Sequence, residues 1–187
     1  YRLLDPSLAA FALGRGLEGY TKVQGAYVRL LLLFAKKVLE KYGTRVISII
    51  LYGSAAKGIA ERESDLDLLL IIEDLPLNYS KRIEELVSME FDELIRGELR
   101  FLKSEGYLTD FSYILLLPGE AESFRPIFLD IINDGIRVFD RDSFFENLSK
   151  SFLERLAMLG AKRMRTDEGV WYWMLKPNIK FGEMIYF

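Results

Sequence analysis

Residues 45–74, RVISIILYGSAAKGIAERESDLDLLLIIED, decide how the rest of the chain is read. An apolar run rich in Ile and Val ends at Leu51-Tyr52, Gly53-Ser54 turns the chain, and a second apolar run opens at Asp65-Leu66-Asp67 and continues through Ile72. The pattern is strand, tight turn, short helix, loop, strand. Side chains alternate along a strand, so Asp65 and Asp67 share one face while Leu66 enters the core. Like charges at the mouth of a half-buried strand are costly unless a cation neutralises them, and an all-oxygen donor pair favours a hard ion such as Mg²⁺. A solvated strand edge is the structural alternative. Gly53 lets the backbone approach a ligand closely, and Ser54 offers a hydroxyl and an N–H where a helix starts, a setting that favours phosphate. The ten residues between Ser54 and Asp65 leave room for a helical turn or two and a return loop, so phosphate cradle and metal ligands can share one site.

Gly53-Ser54, ten residues, then Ser64-Asp65-Leu66-Asp67-Leu68 resembles the signature of the DNA polymerase β-like nucleotidyltransferase superfamily, and most of all its minimal nucleotidyltransferases. The resemblance implies an α+β fold, a small mixed β-sheet of the polymerase β palm type flanked by helices. It implies metal-dependent transfer of a nucleoside monophosphate, AMP from ATP, onto a hydroxyl of a protein or small-molecule acceptor. Gly53 and Ser54, with Lys57 and Ser64 beside them, would hold the triphosphate, while Asp65 and Asp67 would bridge two Mg²⁺ ions, with Mn²⁺ as the alternative metal. Minimal members often have Arg where this chain has Lys57, and a lysine supplies charge without a bidentate fork. The family also has a third catalytic acid on a later strand. Asp130, within Phe128-Leu129-Asp130-Ile131-Ile132, matches that setting, in which a buried carboxylate needs a partner; an outward-facing acid on an edge strand is the alternative. Asp110, Asp134 and Asp140, at strand ends or turns, are weaker candidates. Minimal nucleotidyltransferases resemble antitoxins paired with helical HEPN toxins, so an antitoxin that binds or AMPylates a HEPN-domain partner is the second reading. A drug- or nucleic-acid-directed transferase is the third.

Composition narrows the chemistry. With no Cys and no His, the chain excludes disulfides, thiolate sites, histidine general bases and His-ligated zinc, leaving carboxylate chemistry assisted by metal. A formal charge of −3 argues against tracking extended nucleic acid. Half of the 187 residues are hydrophobic, enough for one substantial core. One Gln and four Asn, with Cys absent, suggest a heat-adapted intracellular source. Tyr1 is not an initiator methionine, so expectations on targeting hold for the residues shown. The apolar block Leu30 to Ala35 is far short of the ~20 residues that span a bilayer. The expectation is a cytoplasmic protein with no membrane contact, forming one compact unit: a helical segment over 1–42, a catalytic core over 43–140, and a helix and tail over 141–187.

Outside the central stretch, short helical structure is expected around Ser7 to Leu13, and a helix capped by Thr21 running to Tyr42, where Gly43 stops it. A long helix is expected from Ser80 to about Glu105, with Ile83, Leu86, Val87, Leu94 and Leu102 inward and Gly97 as its weak point. Strands are expected over 111–117, 127–132 and 136–139, with Asp134-Gly135 as a hairpin turn. A final helix, opened by a Ser143/Glu146 capping box, is expected to reach Met164. Lys162, Arg163 and Arg165 then either meet phosphates or complement the helix dipole. Trp171-Tyr172-Trp173 either stack on a base or pin the tail to the core.

Overall fold

Strand β1 (Val46–Tyr52) is buried at every position, as its unbroken apolar sequence requires of a strand covered on both faces. In this computed structural model, which describes residues 4, 6–169 and 171–177, β1 is the inner strand around which the rest is laid. Strand β2 (Leu66–Ile72) runs antiparallel to it, with Tyr52 opposite Asp67 and Ile49 opposite Leu70. Strand β3 (Phe111–Leu116) lies parallel to β2, and β4 (Ile136–Asp140) runs antiparallel to β1, giving the order β3-β2-β1-β4. This is the mixed four-stranded sheet, flanked by helices, that the α+β expectation called for.

Strand alternation sorts β2 between two cores. Leu66, Leu68 and Leu70 face a cluster that includes Leu8 of α1 (Pro6–Gly14), Leu30 and Phe34 of α2 (Val28–Tyr42), Leu86 of α4 (Tyr79–Glu90) and Leu102 of α5 (Glu93–Ser104). Leu69 and Ile71 face the other way, onto Ala121 of α6 (Pro118–Ala121), Phe128 and Ile131 of α7 (Phe128–Asp134), and Phe145 and Phe152 of α8 (Phe144–Met158). By the same alternation Asp67 belongs to the second face, at the end of the sheet where that core gives out. Among the described residues no helix is long and apolar enough to cross a membrane.

Several expectations are corrected. The long helix is two: it breaks at Phe91-Asp92, where the Asp92 carboxylate accepts the Leu94 N–H at 2.9 Å and caps α5, while Gly97 sits inside α5. Asn78 rather than Ser80 caps α4, accepting from the Lys81 N–H. The break turns Val87 and Leu94 outward and buries Ile95 and Glu98, the latter paired with Arg29 at 2.8 Å. Thr21 caps nothing; it lies in a single 3₁₀ turn ahead of α2.

The second strand predicted over 127–132 is instead α7, and Gly135 follows it with an ordinary negative φ rather than a hairpin geometry. A Cβ on Gly135 would overlap the Ile131 carbonyl, so glycine permits the close packing of α7 against β4. The last helix ends at Met158, and Lys162–Arg165 form strand β5, paired antiparallel with β6 (Trp171–Met174) in a separate hairpin.

Ser143 does not form the predicted capping box, because its backbone is left-handed at φ 55°. Asp140 caps the helix instead: its carboxylate accepts the N–H groups of Phe145 at 2.9 Å and Glu146 at 3.0 Å, and the Ser48 hydroxyl at 2.6 Å. One side chain thus joins β4, β1 and the start of α8. Asp140→Ala is expected to cost about 2 kcal/mol of stability in urea unfolding, the upper end of cap losses, because two N–H groups and a buried hydroxyl lose their acceptor together.

Candidate active site

The helix α3 (Gly53–Lys57) leaves β1 with no intervening loop, through Gly53 at φ 71°. A Cβ there would run into Oδ2 of Asp67, with Cγ only 3.0 Å away. Glycine is therefore required twice, for a left-handed backbone and for contact with the carboxylate. The phosphate-type turn and one acid of the predicted pair are in contact, as one shared site demands.

Across the sheet, Asp67 pairs with Tyr52 of β1 on one side and Ser112 of β3 on the other. The Ser112 hydroxyl hydrogen-bonds to Asp67. Burial pushes the Asp67 carboxyl above its ordinary range; the Ser112 hydrogen bond opposes this, and the charge of Asp65 adds to the rise. Burial likewise pushes the Tyr52 phenol up to about 12, with the charge on Asp67 contributing. Asp65 stands just ahead of β2, exposed, where alternation puts it on the Asp67 side. Among the described residues neither acid has an ion-pair partner.

Ser54 and Lys57 are three apart on α3 and share a face. Lys57 Nζ lies 3.4 Å from Oδ2 of Asp134, at the end of α7. Ser64 fastens the loop between α3 and β2. Its hydroxyl accepts the Glu61 N–H at 2.9 Å, and its carbonyl accepts the Thr109 hydroxyl at 2.6 Å. The loop over residues 58–65 is held further by the Tyr27 hydroxyl on the Glu61 carbonyl and the Leu108 N–H on the Arg62 carbonyl.

Asp130 is not brought to this site on a strand. It lies exposed in the first turn of α7, because the apolar run around it folds as helix, with Phe128, Leu129 and Ile131 buried and Asp130 turned out. The strand beside β2 is β3, and Asp110 immediately precedes it: its carbonyl accepts the Leu66 N–H at 2.8 Å, so it neighbours Asp65 across the two strand starts. Tyr52, Ser112 and the Asp134 contact escaped the sequence reading. Nothing in the sequence fixes the parallel register that sets Ser112 beside Asp67.

The donor set suits a hard cation: two carboxylates on one side, one of them disfavoured as an anion by burial, with no ion-pair partner among the described residues. No group of three or more Asp, Glu, His or Cys converges among the described residues. The residues therefore fit one ion shared with a ligand better than a closed protein cage. A cleft of about 450 Å³, lined by Tyr79, Ile114, Leu116, Arg125 and Ile127 among others, opens on the same face, since Ile114 is two positions along β3 from Ser112. Another, of about 430 Å³ beside Ile47 and Glu73, lies at the opposite end of the strands.

The Gly-Ser turn thus lies against Asp67 at the mouth of a strand in a mixed sheet. Residues 35–144 match the family model described as "Polymerase beta, Nucleotidyltransferase", and the chain belongs to that family. It is 33% identical over 125 residues, 66% of this chain and 76% of the relative, to "Putative protein adenylyltransferase MJ1305" of Methanocaldococcus jannaschii. Among solved structures it is similar to a toxin-antitoxin crystal structure with AMP-PNP, at 16% identity and a TM-score of 0.42, over 67% of this chain and 86% of that one. It is also similar to a structure of a tri-AMPylated Shewanella oneidensis HEPN toxin in complex with MNT antitoxin, at 16% identity and a TM-score of 0.40, over 70% and 88%.

Proposed function

We propose that this chain is a protein adenylyltransferase, moving AMP from ATP onto a hydroxyl of a protein acceptor. The observation that supports the reading is the contact of Gly53 with Asp67, which sets the Gly-Ser turn against one acid of the pair. The name of the 33%-identical relative supplies the adenylyl group and the protein acceptor.

Gly53 and Ser54 hold the phosphates, and Asp65 and Asp67 are the residues that would hold Mg²⁺ beside them, where it would supply charge neutralisation to the phosphates. The acceptor oxygen forms a bond to the α-phosphorus, the bond from that phosphorus to the bridging oxygen of pyrophosphate breaks, and the hydroxyl proton passes to solvent or a carboxylate. Ser112 orients Asp67 and offsets part of its desolvation. The cleft along β3, at about 450 Å³, falls in the general range of small-molecule sites. Among the described residues no third acid joins Asp65 and Asp67: Asp130 lies exposed on α7, and the Asp110 carboxylate accepts the Phe111 N–H while its charge acts on Glu90 of α4.

Accordingly, Asp130→Asn and Asp110→Asn are each expected to leave turnover within about twofold of wild type, with ATP affinity little changed. Steady-state transfer assays on the two purified variants check this; loss confined to Asp130→Asn would return the role to α7.

The function is tested by incubating the protein with Mg²⁺, a lysate of its source and ATP labelled at the α or γ phosphate. Label reaching protein from the α but not the γ position is the expected result; transfer to RNA or a small molecule, or none, overturns it. The minimal-nucleotidyltransferase resemblance proposes a HEPN-domain protein as acceptor, and a purified HEPN protein encoded next to this chain is the first substrate to add.

A further inference from the structure

The Lys57 ammonium and the Arg163 guanidinium converge on a single oxygen. Oδ2 of Asp134 lies 3.4 Å from Lys57 Nζ and 2.9 Å from Arg163 Nη2, which ties the hairpin strand β5 and the cradle helix α3 to one residue of α7. Asp134 is the last residue of α7, where the helix dipole disfavours a carboxylate, so its position depends on these cations. Two cations on one carboxylate leave the cluster with a net positive charge. The three side chains are only 34%, 26% and 23% exposed in the order Lys57, Arg163, Asp134, so that charge is less screened than at an open surface.

Arg163 is also placed by the hairpin itself. It pairs with Trp173 across the two strands, and its guanidinium lies 4.8 Å from the centre of the Trp171 ring, which Arg165 approaches at 5.5 Å. An arginine braced on an indole keeps a planar fork presented at low entropic cost, the geometry suited to phosphate oxygens.

We propose that Arg163 is a triphosphate-binding residue of the site, delivered by the C-terminal hairpin and held in reserve, with Lys57, by Asp134. The proposal rests on the reading that Gly53 and Ser54 hold the phosphates of a nucleotide, since Lys57 shares the face of α3 with Ser54. A triphosphate at that turn competes with Asp134 for both cations: its oxygens take the fork and the ammonium, and Asp134 gives them up. Asp134 therefore acts against nucleotide affinity while it organises the free protein.

The sign of two substitutions separates this from a purely structural latch. Dissociation constants for ATP, inorganic tripolyphosphate and adenosine are measured by calorimetry on the full chain, with tryptophan fluorescence reporting on the hairpin. Arg163→Ala should weaken ATP and tripolyphosphate about tenfold and leave adenosine unchanged. Asp134→Asn breaks the same ion pair yet should tighten ATP and tripolyphosphate severalfold. If the pair merely pins the hairpin, both variants disturb the fluorescence and shift ATP in the same direction, and the proposal fails. It also fails if ATP binds Arg163→Ala as it binds wild type. A wild-type protein that binds no ATP would sink the nucleotidyltransferase reading itself, an outcome distinct from either.

Discussion

Asp67→Asn is expected to abolish adenylyl transfer while leaving a folded protein with a higher melting temperature in the absence of metal. Asparagine keeps the size of the side chain, its contact with Gly53 and an acceptor for the Ser112 hydroxyl, so the packing between β1, β2 and β3 has no reason to change. What disappears is one of two charges available to a cation. A metal contributes several kcal/mol to transition states of this kind, and about 1.4 kcal/mol is a factor of ten, so turnover should fall by at least ~10³. Transfer of α-labelled phosphate and Mg²⁺-dependent ATP binding are the measurements. A contaminant-free variant within tenfold of wild type would remove Asp67 from the metal site.

The stability half of this prediction follows from linkage. Burial, together with the charge of Asp65, raises the folded-state pKa of Asp67 above its unfolded value. The folded protein therefore binds the proton more tightly than the unfolded chain does. The resulting stabilisation is complete below the unfolded pKa and is lost as pH rises through the folded one. Without Mg²⁺, wild type should lose melting temperature relative to Asp67→Asn as pH rises from the ordinary aspartate range, about pH 4, through the raised folded-state value. Mg²⁺ with ATP favours the ionised acid and should reverse the order of the two proteins at neutral pH. An identical pH dependence for both would mean that Asp67 is as well solvated folded as unfolded.

The central stretch was legible because two independent signals agreed there: apolar runs of strand length, and a Gly-Ser turn at fixed distance from an acid pair. Its short helix, its order of elements and the contact of the turn with Asp67 follow from those residues. Asp130 shows where such reading gives out. Seven apolar-rich residues satisfy strand and helix equally, and only the packing of Phe128 and Ile131 under β1 chose the helix. The break between α4 and α5 was hidden for a related reason, since one amphipathic stripe continues through Phe91-Asp92 while the capping carboxylate cuts it. Asp140 displaced Ser143 as the cap because a residue outside the local motif reached two N–H groups that the motif residue, held left-handed, could not. Ser112 and the Lys57, Asp134 and Arg163 cluster are matters of register and of docking between elements, which no local pattern encodes.

Gly53→Ala is expected to be nearly as damaging as loss of the acid, although it removes no functional group. Alanine at φ 71° costs about 1 kcal/mol of backbone strain, which the fold can bear. The decisive effect is steric. The new methyl must occupy space held by Oδ2 of Asp67, and neither side can give way cheaply: Gly53 is fixed between β1 and α3, and Asp67 is held in its strand between Tyr52 and Ser112. The carboxylate must rotate or shift by roughly 1 Å, and misplacement on that scale costs about 10² in rate. The expected variant is folded, melts a few degrees lower, binds adenosine as wild type does, and shows kcat/KM for transfer reduced by at least ~10² with weakened Mg²⁺-dependent ATP binding. The double variant Gly53→Ala with Asp67→Asn should be no worse than Asp67→Asn alone, because the methyl harms activity only through the carboxylate it displaces. Wild-type transfer by Gly53→Ala would show that Asp67 is free to move without consequence, and would separate the turn from the acids that this structure joins.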